Sequence, residues 1–96
     1  MQSNINTYIV STPGILGGRP RIDGTRIAVQ AISGWYKKGY SPEEINEQYE
    51  HLNLYQIYAA LTYYHANQKE IEDDILAEEN VYDKLFNEYY KTARVA

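Results

Sequence analysis

The sequence predicts a mainly α-helical domain, opened by a β-hairpin and closed by a long amphipathic helix. Three observations predict it. Asp23-Gly24 lies between two Arg-Ile pairs, Arg21-Ile22 and Arg26-Ile27, and Gly accepts positive φ while Asp tolerates it, so a tight reversal is expected there. Start and stop signals then divide residues 29–66 into three helices. From Asn67 onward the chain is charged, periodic, and free of Gly and Pro.

The elements follow in order. Tyr8-Ile9-Val10 is a short extended run ended by the turn pair Pro13-Gly14. Pro20 cannot donate to a ladder, so it marks a strand start or an edge. A closed hairpin puts Ile22 and Ile27 on one buried face and turns the neighbouring arginines outward. The first helix is expected over Val29–Lys38, with Val29, Ile32 and Trp35-Tyr36 on its apolar face and Gly39 as its stop. Gly34 inside it costs about 1 kcal/mol against Ala, which points to a close packing contact there. Ser41-Pro42-Glu43-Glu44 announces the second helix: Ser as N-cap, Pro in the first turn, and acids where the helix dipole favours them. It carries Ile45 and Tyr49. Asn53 is a good N-cap for a third helix with the stripe Leu54, Ile57-Tyr58, Leu61 and Tyr64. A short helix, a tight turn at His51-Leu52-Asn53 and a longer helix have helix-turn-helix spacing.

The last segment carries Ile71, Ile75, Tyr82, Leu85, Phe86 and Tyr89 at steps that share one helical face. It either continues the third helix or breaks from it between His65 and Gln68, and its final residues, Thr92 onward, are expected to fray. The organisation read from the sequence is a core domain over residues 1–66 and a helical extension of the same domain over 67–96.

Ninety-six residues suit one small domain, and small domains gain stability by pairing with a second copy. The polar start MQSNINTY carries no signal-peptide pattern and no apolar run is long enough to span a membrane, so a cytoplasmic location is expected. Without cysteine there is no disulfide framework, thiolate nucleophile or cysteine metal site. The formal charge of −4 is unevenly placed. Arg19, Arg21, Arg26, Lys37 and Lys38 face only Asp23 in the first forty residues, and the remainder is strongly acidic. Eleven tyrosines suit half-buried positions at a rim or a partner surface.

Enzyme readings fail on residue type and spacing. No Gly-Lys-Ser/Thr follows Gly17-Gly18, so the glycine-rich stretch is no phosphate loop. His51 and His65 lack ligand spacing with one another. The adjacent pairs Asp73-Asp74 and Glu78-Glu79 point to different parts of a helix face, which is the pattern of a solvated surface. No nucleophile, base and orienter come together, and no catalytic residue, metal or cofactor is expected.

Nucleic-acid binding is chemically better supplied. Tyr55 and Gln56 lie at the start of the third helix, followed outward by Ala59 and Thr62-Tyr63. Glutamine can bond adenine in a bidentate way and tyrosine can reach phosphate. Leu54–Ala66 holds no Arg or Lys, so phosphate contacts would fall to Arg19, Arg21, Arg26, Lys37 and Lys38. Arg26 is also the candidate for a structural tie between hairpin and helices. The competing reading is a protein-interaction module in which Ile71, Ile75, Tyr82, Leu85, Phe86 and Tyr89 pack on another chain.

The segment Gly18-Arg19-Pro20, Ile22, Gly24-Thr25-Arg26-Ile27, Val29, Gly39, Ser41 with Glu43-Glu44-Ile45, then Leu54, Ile57, Ala60-Leu61 and Tyr63-Tyr64 resembles the DUF433 family over roughly residues 8–66. The resemblance implies a homeodomain-like three-helix (helix-turn-helix) bundle preceded by a β-hairpin. It also implies the antitoxin half of a type II toxin–antitoxin pair, binding a PIN-like nuclease toxin and its own promoter DNA as a homodimer. Dimerisation partly through the N-terminal segment is expected, because short edge strands invite pairing. Two features depart from the family pattern: Ala28 stands where Pro is usual, and the tail after Ala66 is longer.

Overall fold

β-branched residues favour extended chain. In the computed structural model, which describes residues 8–95 and side chains through Tyr89, Ile9–Val10 forms strand β1. It pairs antiparallel with β2, Arg21–Ile22, in the register Ile9 to Ile22 and Val10 to Arg21. Ile9 and Ile22 oppose each other across the ladder and both are buried. Residues 1–7, on which the polar start and part of the expected N-terminal dimer contact fall, lie outside the described residues.

The reversal at Asp23-Gly24 closes as expected. The Thr25 N–H donates to Ile22 O at 3.1 Å, the Ile22 N–H donates to Ile27 O at 2.9 Å, and Gly24 has φ 79°. The strand partner differs from the expected one. The returning arm adds only an isolated bridge, Arg21 to Ala28, and β1 supplies the ladder. The reason is local: Ala28 is already the N-cap of the next helix, so the chain turns helical before a second arm can grow. Ile27 packs half-buried against the core that Ile22 enters fully.

Helix α1 spans Val29–Lys37 and buries Val29, Ile32 and Ser33. Gly39, at φ 100°, ends it, and its N–H donates to Tyr36 O at 3.0 Å. The close contact expected at Gly34 is absent: a Cβ there would meet no heavy atom within 4 Å. Helix α2, Pro42–Gln48, starts with a complete capping box. The Glu44 N–H donates to Ser41 Oγ at 3.1 Å and the Ser41 N–H donates to Glu44 Oε1 at 2.9 Å. The backbone bond from Ser41 holds the Glu44 carboxyl below the usual carboxylate range. The turn to the next helix is fixed from inside, because Leu52 is buried and its carbonyl accepts from Asn46 Nδ2 at 2.8 Å.

Helix α3, Leu54–Ala66, is the central element and packs against α1, α2, α4 and both strands. Contact on so many sides removes a wide free face. Ile57, Leu61 and Tyr64 are buried as expected and Leu54 is half-buried; Ala60, outside the expected stripe, and Ala59, which the sequence places outward, are buried as well. Tyr58, expected in the apolar stripe, is exposed instead and donates to Glu43 Oε1 at 3.1 Å. Small side chains at Ala59 and Ala60 let neighbours approach closely on faces that a simple stripe leaves free.

Helices α3 and α4 (Gln68–Val95) are separate, and the break is at Asn67. Asn67 has φ −134° and ψ 44°, and its Nδ2 donates to Tyr63 O at 3.1 Å. Its own carbonyl accepts from the Ile71 N–H at 3.1 Å, which starts the new helix. Ile71 is fully buried and Ile75 packs half-buried against the core. Beyond Ile75, α4 leaves the body, which accounts for principal extents of 62 × 30 × 24 Å. Its backbone stays helical to Val95, into the stretch where fraying is expected. Among the described residues, no helix is long and apolar enough to cross a membrane.

Candidate functional site

At the root of α4, Glu72 is the meeting point of three helices. Its carboxylate accepts from Tyr64 Oη at 2.6 Å and from Gln68 Nε2 at 3.2 Å, and it pairs with Lys37 Nζ at 3.4 Å. One side chain thus ties α1, α3 and α4 together. The Tyr64 bond, followed by that from Gln68, holds the Glu72 carboxyl below its usual range, and the same bond pushes the Tyr64 phenol up to about 12. Tyr36 and His65 stack edge-on beside this joint, with centroids 5.4 Å apart. The sequence reading does not single out Glu72. Its signal is weak, one acid among many, and only the break at Asn67 brings it opposite Tyr64.

The cations expected to share one surface divide into two groups. Two are committed to the fold. Arg21 bends over the reversal, with Nη1 donating to Thr25 O at 2.9 Å and Nη2 to Thr12 Oγ1 at 3.2 Å, and its Nε is buried. Arg21, and not Arg26, is therefore the arginine that ties this region together. It bonds neighbouring loop atoms because β1 holds Thr12 within its reach. Lys37 is drawn to Glu72. The other three, Arg19, Arg26 and Lys38, are exposed, and Lys38 Nζ lies 5.5 Å from the centre of the Trp35 ring.

Arg19, Arg26 and Lys38 border one open cleft of about 850 Å³ between α1, the 16–28 segment and α4. Its floor is made by Ala31 and Gly34 of α1 and by Ala28 at the N-cap, and Trp35 also lines it, its Nε1 donating to Tyr49 Oη at 3.3 Å. The opposite wall is α4, through Ile75, Glu78, Glu79, Tyr82 and Asp83. One rim is the tight turn Leu16–Gly18, where all three residues have positive φ. For Leu16, at φ 51°, that conformation costs about 1–2 kcal/mol. Among the described residues no ion pair joins the cationic rim to the acidic wall.

Tyr55 and Gln56 are not part of this cleft. Tyr55 is exposed but rests on Tyr8, with ring centroids 5.2 Å apart. Gln56 Oε1 accepts from the Asn53 N–H at 2.8 Å, closing the start of its own helix. The acceptor that adenine pairing requires is thus engaged. Thr62 donates to Tyr58 O at 2.8 Å and Tyr63 is half-buried. The proposed reading face and the exposed cations therefore lie in different places.

The apolar candidates on α4 also divide. Ile71 belongs to the core and is not available to a partner, because α1 and α3 cover it, whereas Ile75 is half-buried against that core and lines the cleft. Tyr82, Leu85, Phe86 and Tyr89 continue the same helical face beyond the body and are between 55% and 73% exposed. A cleft of mixed charge thus lies next to a projecting apolar helix face. Among the described residues no cluster of three His, Cys, Asp or Glu has metal-holding geometry.

Comparison with known proteins agrees on the family. No curated protein matches the chain. A crystal structure of a DUF433 member protein from Anabaena variabilis is similar, with a TM-score of 0.68 and 32% identity, over 75% of this chain and 71% of that one. The family model described as "Protein of unknown function (DUF433)" matches residues 9–64, more than half of the chain, and the chain belongs to that family.

Proposed function

We propose that this chain is a protein-interaction module whose docking element is the outer half of α4. The observation that carries this reading is the continuity of one helical face. Ile71 and Ile75 bury it in the core, and Tyr82, Leu85 and Tyr89 carry it on into solvent. An apolar stripe exposed on a projecting helix gains most by meeting another chain. The module fits the antitoxin role in the cytoplasm that the family resemblance implies, with a PIN-like nuclease toxin as a partner. The test is recovery of the neighbouring gene's product by the tagged full-length chain. Leu85→Asp with Tyr89→Asp is expected to abolish recovery, and undiminished recovery overturns the reading.

A second reading is promoter DNA binding through a homeodomain-like arrangement of α1, α2 and α3. It is favoured by the exposure of Tyr55 at the start of α3 and of Arg19, Arg26 and Lys38 elsewhere on the body. It is weakened by the central position of α3, the engaged Gln56 and the absence of Arg and Lys on that helix. A mobility shift on the upstream DNA across a salt series decides it, since phosphate contacts give steep salt dependence. No shift at low salt removes this reading and leaves the first intact.

A further inference from the structure

The cleft and the projecting stripe are two unfilled surfaces on the same chain. The stripe cannot fill its own cleft. Tyr82 borders the cleft, but Leu85 and Tyr89 run on past it, and α4 has no Gly or Pro at which a helix bends back sharply.

We propose that the cleft is filled by the outer half of α4 from a second copy. The two copies then exchange tails around a two-fold axis, with their α4 helices antiparallel. Charge argues for this occupant. The cleft presents Arg19, Arg26 and Lys38 on one side and Glu78, Glu79 and Asp83 on the other, unbridged among the described residues. An occupant must offer both signs around an apolar stripe. The outer half of α4 does so, with Asp83 and Lys84 beside Tyr82, Leu85 and Tyr89. Shape argues for a helix. Ala31 and Gly34 lie three residues apart on α1, with Ala28 at its N-cap, and a helix can lie close against such small side chains. Gly34 weakens α1 and touches nothing that a Cβ would displace within its own chain, so a second backbone approaching there gives the residue a use. Symmetry argues for a copy: a two-fold exchange makes the same contact twice and doubles the buried area, which moves one helix-in-cleft contact toward the size of a stable interface.

This inference rests on the interaction-module reading and names the partner of the same surface. Its test is the mass of the full-length chain in sedimentation equilibrium over a concentration series, with two variants chosen to leave the fold intact. Gly34→Leu fills the cleft floor, where there is open space. Leu85→Asp charges a side chain that is 60% exposed. The native chain is expected to be a dimer at micromolar concentration, and each variant alone to dimerise about tenfold more weakly or worse, with unchanged helical circular dichroism. Mixing the two variants is the decisive arm. The Gly34→Leu chain keeps a good tail and the Leu85→Asp chain keeps a good cleft, so the mixture regains dimer through one intact contact. A monomeric native chain, a Gly34→Leu chain that dimerises normally, or a mixture no better than its parts overturns the exchange. If the native chain is monomeric yet still captures the neighbouring gene's product through Leu85 and Tyr89, the exchange fails while the proposed function stands.

Discussion

The two halves of α4 have similar periodicity and opposite fates. In the first two turns, Ile71 is sealed against α1 and α3 and Ile75 packs half-buried beside it, while Glu72 is gripped by Tyr64, Gln68 and Lys37. Farther along, Tyr82, Leu85 and Tyr89 present the same face to solvent. A helical stripe therefore states that a face will be covered without stating by what. Here the covering is intramolecular up to Ile75 and open beyond it.

The largest effect expected from breaking this contrast is at Ile71. Ile71→Ala removes a fully buried side chain from a joint that α1, α3 and α4 share, and should cost about 2–5 kcal/mol in chemical denaturation. Leu85→Ala, on the same helical face, should change stability by no more than about 0.5 kcal/mol at concentrations where the chain is monomeric. Equal costs at the two positions would mean that the outer stripe is packed within its own chain.

The arginines give a similar contrast in charge. Arg21→Ala removes two donor contacts, to Thr25 O and Thr12 Oγ1, and should cost about 1.5–3 kcal/mol, the range for hydrogen bonds from a charged group. Arg26→Ala, at an exposed rim position, should be near neutral for folding and act only on partner binding. If thermal melts rank the two the other way round, the structural tie lies at Arg26 after all.

What was legible in the sequence follows from the range of the forces involved. Caps, stops and reversals are local, so Ser41 with Glu44, Gly39 and Asp23-Gly24 could be read from a few adjacent residues. The ladder partner of β2 could not, because that choice depends on where Tyr8-Ile9-Val10 lands after a loop. The burial of Ala59 and the exposure of Tyr58 were illegible for a related reason: a stripe describes one contact face, and α3 has several. The candidate site was legible as a set of residue types but not as a place. Arg19, Arg26, Lys38 and Tyr82 are distant in sequence, and only the packing of α4 on α1 gathers them around one cleft.

Smaller effects sharpen the contrast inside α1, whose core face is full and whose cleft face is open. Gly34→Ala should stabilise the monomer by up to about 1 kcal/mol, because the added methyl meets no atom and the helix loses an entropic weakness. A destabilised variant in denaturant titration would show that the open space at Gly34 is smaller than the structure indicates.

The smallest expected effect concerns pH and the root of α4. The Glu72 carboxyl is held below its ordinary 4.5, chiefly by the Tyr64 hydroxyl. A carboxyl with a folded pKa below its unfolded one binds fewer protons when folded. Its contribution is therefore complete above about 4.5 and is lost as pH falls through the lowered folded value. Tyr64→Phe removes the first cause of that lowering and leaves Gln68 and Lys37 in place. The Glu72 carboxyl resonance should then titrate at a higher pH than in the native chain, and the acid limb of the stability curve should become shallower over the same interval. Glu72→Gln should remove that component of the acid limb entirely, whereas Glu88→Gln, on the outer half of the helix, should leave the Glu72 titration where it was. A Glu72 titration unmoved by Tyr64→Phe would show that the hydroxyl is not what holds this carboxyl at the root of α4.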